Sequence, residues 1–400
     1  MVSPEKVSPP FAYSTLFEIS SIGAIPHNHS MLRIPLLVPH MPTADSLLAH
    51  FRKIDEKRIY TNFGPLNAEF ERRIIAAVAP GRSMRNVTTV ANCTIGLELT
   101  LQALGLRPQA RVLIPSVSFV ATATSIGRMG MIPVFADVDP LSWCLTPEIA
   151  EAATRLDKVD AVMPVATFGR PQNTEQWDDF SRHFGIPTLI DAAGAFGNQG
   201  LGQLTDVVFS FHATKSMGAG EGGAVLSSDE DRIANIRKLS NFGIDTSVGE
   251  LQDVGTNGKM SEYHCAVGLA SLDQWTKTKR DRVALCARYM EHLRDRCGTL
   301  LYQDRPSDGI YSVLCVLLPE GFQSSTVAHQ LGDAGIETRR WYCPALHLHP
   351  ALCAYPKAGP LTIAEMISDR LLGLPFFVAM TDDQIAFVCD RLGDVLRSTP

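Results

Sequence analysis

The sequence predicts an α/β fold in which a mostly parallel sheet carries helices on both faces and a smaller C-terminal α/β domain follows it. Three features predict this. Short apolar runs of strand length recur at residues 111–114, 133–136, 161–165, 188–190 and 207–210. Amphipathic stretches lie between them, such as Thr174–Phe184, where Trp177, Phe180, Ser181 and Phe184 recur at helical spacing. Beyond Gly268 the pattern changes to long helical stretches, 282–296 and 382–396, around strand candidates at 311–317 and 336–339. Strand, helix, strand in alternation puts successive strands parallel and forces the connecting helices onto the sheet faces.

The elements fall into three regions. Residues 1–45 are rich in Pro, Ser and His with little periodicity, and are expected to be an extension draped over the main body. Residues 46–270 hold the alternating pattern and are expected to form the large domain, and residues 271–400 the small one. A chain of 400 residues is long enough for two compact units. No internal repeat, heptad pattern or low-complexity tract interrupts them.

Composition excludes several classes of function. Hydrophobic residues make up 45% and charged residues 20%, the balance of a soluble globular protein. A net charge of −6 argues against nucleic-acid binding, which needs a basic face to neutralise phosphates. The opening residues lack the basic end, apolar run and small-residue cleavage site of a secretory signal, and no stretch is long and apolar enough to span a bilayer. Nine scattered cysteines without a C-x-x-C pair read as reduced thiols, so a cytoplasmic location is expected.

Residues 191–223, DAAGAFGNQGLGQLTDVVFSFHATKSMGAGEGG, carry the chemistry. Asp191 follows one apolar run and Lys215 follows the next. Ligands of open α/β sheets sit outside the carboxyl ends of the strands, so both side chains can reach one pocket. Taken singly, each would be an ordinary turn or surface residue. Together, ahead of a glycine-rich loop that lets backbone approach a ligand, they make the pair that pyridoxal phosphate chemistry requires. The lysine would form an imine with the cofactor aldehyde, and the carboxylate would keep the pyridine nitrogen protonated. A cation within reach would lower the Asp191 pKa by roughly 1–3 units.

A phosphate site is the second requirement. Residues 87–106, VTTVANCTIGLELTLQALGL, read as a strand, a turn over Asn92–Thr94 and a helix beginning near Ile95. The N-terminus of such a helix favours an anion. Thr94 offers a hydroxyl, and Thr94 or Asn92 is equally an N-cap. Phe119, in PSVSFVAT, is an aromatic that could stack on the pyridine ring or belong to the core.

These segments resemble the DegT/DnrJ/StrS-type family of sugar aminotransferases, pyridoxal-phosphate enzymes of fold type I. The resemblance covers about residues 58–395. It is carried by NFGPLNAEFE at 62–71, ANCTIGLELTLQALGL at 91–106, IPSVSFVATA at 114–123 and PVFADVDP at 133–140. It continues in DAAGAFG at 191–197, SFHATK at 210–215 and GTNGKMSEYHCAVGLASL at 255–272.

The resemblance implies that Lys215 is the imine-forming lysine and proton shuttle, that Asp191 pairs with the pyridinium nitrogen, and that Phe119 stacks on the ring. It implies that Thr94, the Ile95 backbone and Ser210 hold the phosphate, and that Asn257 reaches the phosphate of a neighbouring subunit in a homodimer. The implied activity is transfer of an amino group from an amino acid, L-glutamate, to a nucleotide-linked 4-keto-6-deoxy sugar. Relatives that dehydrate or aromatise, that act on a non-sugar ketone, or that regulate without turnover are the alternatives. Two positions depart from the pattern: Gly194 stands where the family has glutamine, and Lys259 where an arginine is frequent, which loses the planar fork.

Two further clusters are discounted. CPALHLHPALC at 343–353 lacks the paired cysteine spacing of structural zinc sites, so no metal is expected, and the resemblance implies that His347 lies near the pocket or an interface. His212 is read as a packing or hydrogen-bonding residue, because the freed lysine amine already serves as base.

Overall fold

The computed structural model describes residues 33–398. Of the expected extension, residues 1–32 lie outside the described residues.

Seven strands form the central sheet. Across it they run Val87–Val90, Gly223–Leu226, Asp206–Ser210, Leu189–Asp191, Ala161–Val162, Arg111–Pro115 and Ile132–Ala136. Parallel bridges Val162 to Thr188 and Val165 to Asp191 join its two halves. All pairings are parallel except those of Gly223–Leu226, which runs antiparallel to both neighbours. Every strand is buried on both faces apart from a few edge positions, which explains why each reads as a continuous apolar run and not as an alternation.

The expected strands appear except for one that is absent and one that is shortened. The run 161–165 yields only Ala161–Val162 as strand, because Pro164 has no N–H for the ladder, and pairing resumes as a single bridge at Val165. Residues 336–339 form no strand. Ile336 and Arg339 make isolated bridges instead, and Arg339 and Gly373 exchange backbone hydrogen bonds of 3.1 and 2.7 Å. The strand Gly223–Leu226 carries no strand signal in the sequence, since glycines precede it and it is only four residues long.

A second, antiparallel sheet of Leu301–Tyr302, Leu314–Leu317 and Leu371–Leu374 packs with the helices Trp275–Arg296, Ser324–Asp333 and Asp382–Arg397 around Tyr289, Val316, Leu372 and Val388. Both long helices expected beyond Gly268 are therefore present.

Two sequence motifs far apart in the chain meet here. The helix Pro65–Val78 begins against Glu262, whose carboxylate accepts from the N–H groups of Leu66 (2.8 Å) and Asn67 (2.9 Å). Gly64 is needed at that contact, because a Cβ there would lie 2.7 Å from Glu262 Cδ. A buried carboxylate at a helix N-terminus satisfies donors that the helix cannot pair itself. This contact holds residues 62–71 against the segment 255–272.

Candidate active site

The chemistry-bearing residues gather at the carboxyl edge of the central sheet. Val90, Gly223 and Ser210 occupy one rung, since Gly223 pairs with both of the others. Asp191 lies on the adjacent strand, opposite Val208.

The phosphate end is built by that rung. After Val90 the chain turns into the helix Cys93–Ala103, capped by Asn92, whose side chain accepts from the Ile95 N–H at 3.0 Å. The helix thus starts two residues earlier than the sequence indicated, and Asn92, not Thr94, is the cap. The Ile95 N–H is engaged by that cap, while the Thr94 hydroxyl is left out of capping. Gly223 faces the same turn, and a Cβ on it would stand 3.0 Å from the Cys93 nitrogen and 2.8 Å from the Phe209 carbonyl oxygen. Ser210 closes the neighbouring strand, and its Oγ accepts from the His212 N–H at 3.3 Å.

From Ser210 the chain makes a loop closed by bonds from Phe211 N to Gly222 O, Ala213 N to Gly220 O and Ala219 N to Phe211 O. Gly220 (φ 82°) and Gly222 (φ 154°) adopt backbone that side chains resist, and a Cβ on Gly222 would meet Met260 at 2.6 Å. The loop sets Lys215 in a tight turn, its N–H on the His212 carbonyl at 2.9 Å. His212 turns outward: its Nδ1 lies 2.9 Å from Thr214 Oγ1, and it is exposed, in keeping with a hydrogen-bonding role.

Asp191 is only 4% exposed. Its Oδ2 accepts from Thr122 Oγ1 at 2.7 Å and its Oδ1 from the Ala193 N–H at 3.1 Å. Among the described residues it forms no salt bridge. Burial pushes its pKa up, against the opposing pull of the Thr122 and Ala193 hydrogen bonds and the Lys215 charge. The expected lowering is thus reversed, because desolvation of a fully enclosed carboxylate outweighs a lysine that is not in contact. Burial likewise pushes the Lys215 pKa down, opposed by Cys93 and Asp191. Lys215 as a residue is half-buried, so it is the amine end that lies deep.

The remaining residues flank this pair. Phe119 is 54% exposed although it follows a buried strand, and it ends the loop from which the helix Val120–Arg128 starts. It is therefore not a core residue. Gly194 packs against Gly169, whose Cβ, if present, would lie 2.9 Å from the Gly194 carbonyl oxygen. Asn257 is exposed, its Oδ1 accepting from Lys259 Nζ at 2.9 Å, and that ammonium lies 4.6 Å from the centre of the Phe242 ring.

His347 lies deeper than expected. It is buried, with Nδ1 2.6 Å from Ser116 Oγ and Nε2 3.0 Å from Glu365 Oε1, so both ring nitrogens are engaged. That clamp ties the 343–349 segment to the end of strand Arg111–Pro115. Among the described residues no cluster of His, Cys, Asp and Glu could hold a metal ion.

Sequence reasoning missed two features. One is the hydroxyl pair Thr122 and Ser118, 2.8 Å apart and both buried behind Asp191. An S-x-x-x-T spacing across the start of a helix gives no signal in sequence. The other is an aromatic ladder in which Tyr342 stacks on Phe168 (4.9 Å, 7°) and Phe168 meets Trp143 edge-on (6.3 Å). All three have left-handed backbone, φ 57°, 55° and 57°, which bulky residues rarely adopt. The Asp191 charge is felt at Tyr342.

The sequence and the fold are shared with known proteins. The structure of DesI in the presence of its TDP-sugar product is 33% identical, with a TM-score of 0.82 over 93% of this chain and 95% of that one. The aminotransferase TlmJ from Streptoalloteichus hindustanus is 27% identical, with a TM-score of 0.79 over 91% and 99%. A dTDP-4-amino-4,6-dideoxy-D-glucose transaminase of Shigella dysenteriae is 28% identical over 89% of this chain and 97% of its own. The match to the family model spans residues 43–393, and the chain belongs to the DegT/DnrJ/EryC1/StrS aminotransferase family.

Proposed function

We propose that the protein transfers the amino group of an amino acid, L-glutamate, to a nucleotide-linked 4-keto-6-deoxyhexose, using pyridoxal 5′-phosphate attached to Lys215. The observation that carries this is the buried Asp191 beside a buried amine at the carboxyl edge of the sheet. A carboxylate enclosed without an ion pair is costly, so its retention points to a cationic ligand group that completes the pair. A pyridinium nitrogen is such a group.

The donor set fits the cofactor along its length. Asp191 would hold the ring nitrogen, and exposed Phe119 would cover a ring face. The Thr94 hydroxyl, the first turn of the helix Cys93–Ala103 and Ser210 would hold the phosphate, with Ile95 N–H joining only in place of its Asn92 contact. Gly223 keeps that cradle open. When bound, the cofactor supplies an electron-poor ring that takes up charge released as the substrate carbon loses its proton. Lys215 Nζ would hold the cofactor through its aldehyde and, once freed, would be the base that takes and returns the proton at the substrate carbon. A lowered lysine pKa favours both roles, since the neutral amine is the nucleophile and the base.

The substrate assignment follows the relatives named above and is tested by mixing purified protein, glutamate and a panel of nucleotide-linked keto sugars. Mass spectrometry is expected to show an aminated 4-keto-6-deoxyhexose nucleotide and 2-oxoglutarate. Amination of a non-sugar ketone alone would overturn the sugar assignment.

We also infer a homodimer with shared sites. Exposed Asn257 lies near exposed apolar side chains of the same region, Phe242, Leu251 and Val254, the last 85% exposed. A patch of this kind is expected to be covered by a second copy, so that Asn257 reaches the partner's phosphate site. Analytical ultracentrifugation is expected to give a dimer, and Asn257→Ala to weaken cofactor retention. A monomer at full activity would refute the shared site.

The division into a large domain, 46–270, and a small one, 271–400, is proposed on the two separate sheets. A cytoplasmic setting is proposed on nine free thiols, seven of them buried. No helix among the described residues is long and apolar enough to cross a membrane.

A further inference from the structure

We infer that Thr122, backed by Ser118, is a positioning residue that holds Asp191 ionised and aimed at the cofactor ring. The inference rests on the reading that Asp191 pairs with that ring. Its geometry is directional. Thr122 has one hydroxyl proton, and the 2.7 Å contact to the carboxylate oxygen Oδ2 takes it, because an ionised carboxylate can only accept. The 2.8 Å contact between Ser118 and Thr122 must then run the other way, with Ser118 donating. Two hydroxyls thus form a one-way chain ending on Asp191, and bonds in such a chain polarise one another.

Both are enclosed, Thr122 at 0% and Ser118 at 2% exposure, so water does not compete for either. The second carboxylate oxygen is held by the Ala193 N–H, which fixes the plane of the group from the opposite side. Thr122 and Ser118 lie on the segment that also carries Phe119. One short stretch therefore orients the ring's acid and presents the aromatic beside it.

The electrostatic need for this chain is clear from the setting. Burial pushes the Asp191 pKa up, and the Thr122 hydrogen bond is the largest of the influences that pull it back. The other groups facing Asp191 are Lys215, Cys93 and Tyr342. Cys93 and Tyr342 are raised by burial and stay neutral at working pH, so they supply no counter-charge. A hydrogen bond to the ionised form lowers a carboxyl pKa, so its removal raises it. Asp191 would then protonate at higher pH, and the acid limb of any property requiring its charge would move upward.

The test compares wild type, Thr122→Val, Thr122→Ser and Ser118→Ala as purified holoenzymes. Thr122→Val is expected to lower kcat about 10- to 100-fold with little change in either KM, the loss for one hydrogen bond to a charged group. It should raise the acid limb of the kcat profile by about one pH unit. The visible absorbance of the bound cofactor, titrated with pH, should shift the same way without any sugar present. Thr122→Ser should restore both, and Ser118→Ala should shift both in the same direction by less. Should Thr122→Val not fold, Ser118→Ala decides: an unmoved acid limb and unmoved absorbance titration overturn the inference. A folded Thr122→Val with wild-type absorbance titration and rate profile also overturns it. Wild-type protein that takes up no pyridoxal phosphate would instead defeat the underlying reading of Asp191.

Discussion

Lys215→Ala is expected to abolish transamination and the covalent fixation of pyridoxal phosphate together. The reason is that one amine is asked to do two jobs. It forms the bond that retains the cofactor, and, once released, it is the group that moves the proton. The titratable neighbours among the described residues are poor substitutes. His212 is exposed and engaged with Thr214. His347 is locked between Ser116 and Glu365. Cys93 is buried, with its thiol pushed up by that burial and held protonated. Loss of a positioned proton-transfer group alone costs about 10²–10⁴-fold in rate. Loss of the attachment adds to this.

The measurement has two arms. Borohydride reduction followed by peptide mapping should label the Lys215 peptide in the wild type and no peptide in the variant. Turnover with glutamate should fall at least about 10²-fold. The fold should persist, since the Lys215 side chain makes no hydrogen bond or ion pair with described residues, and circular dichroism checks this. Retained labelling or retained turnover would show that a different amine carries the chemistry.

The strands of the central sheet and the long C-terminal helices were legible because burial on both faces leaves a plain apolar run, and because amphipathic helices keep their period. Lys215 and Asp191 could be paired from the sequence because each follows or closes such a run, on the side of an open sheet where ligands sit. Other features depend on what comes close in space, and sequence carries no trace of that. Pro164 shortens a strand through a missing donor, an effect visible only once its neighbours are known. The end of a helix is decided by a single side-chain bond, so Asn92 and Thr94 could not be told apart until the Asn92 contact to the Ile95 N–H was seen. Thr122 lies 69 residues from Asp191 in the sequence and meets it only through the fold. The raised Asp191 pKa had the same origin. Its cationic neighbour was foreseen, and the depth of its burial was not.

Asp191→Asn carries the second large effect, and its direction separates charge from shape. The amide has the size of the carboxylate and can still accept the Ala193 N–H through its oxygen. What disappears is the negative charge facing the ring nitrogen. Without it the nitrogen sheds its proton, and the ring loses much of its capacity to take up electrons. Removing one partner of a buried ion pair costs about 3–5 kcal/mol, which at about 1.4 kcal/mol per decade is about two to four decades in rate. The Thr122 hydroxyl must also find a new arrangement, since the amide nitrogen cannot accept its proton. Amino transfer from glutamate should therefore fall about 10²- to 10⁴-fold, while borohydride still fixes the cofactor to Lys215. That contrast is diagnostic: Lys215→Ala loses attachment and turnover, whereas Asp191→Asn loses turnover and keeps attachment. A decline under tenfold, with the bound cofactor's absorbance unchanged across pH, would mean that the ring nitrogen is not held by this acid. The buried carboxylate would then have to be explained by the Thr122 hydroxyl and the Ala193 N–H, two neutral hydrogen bonds that supply no counter-charge.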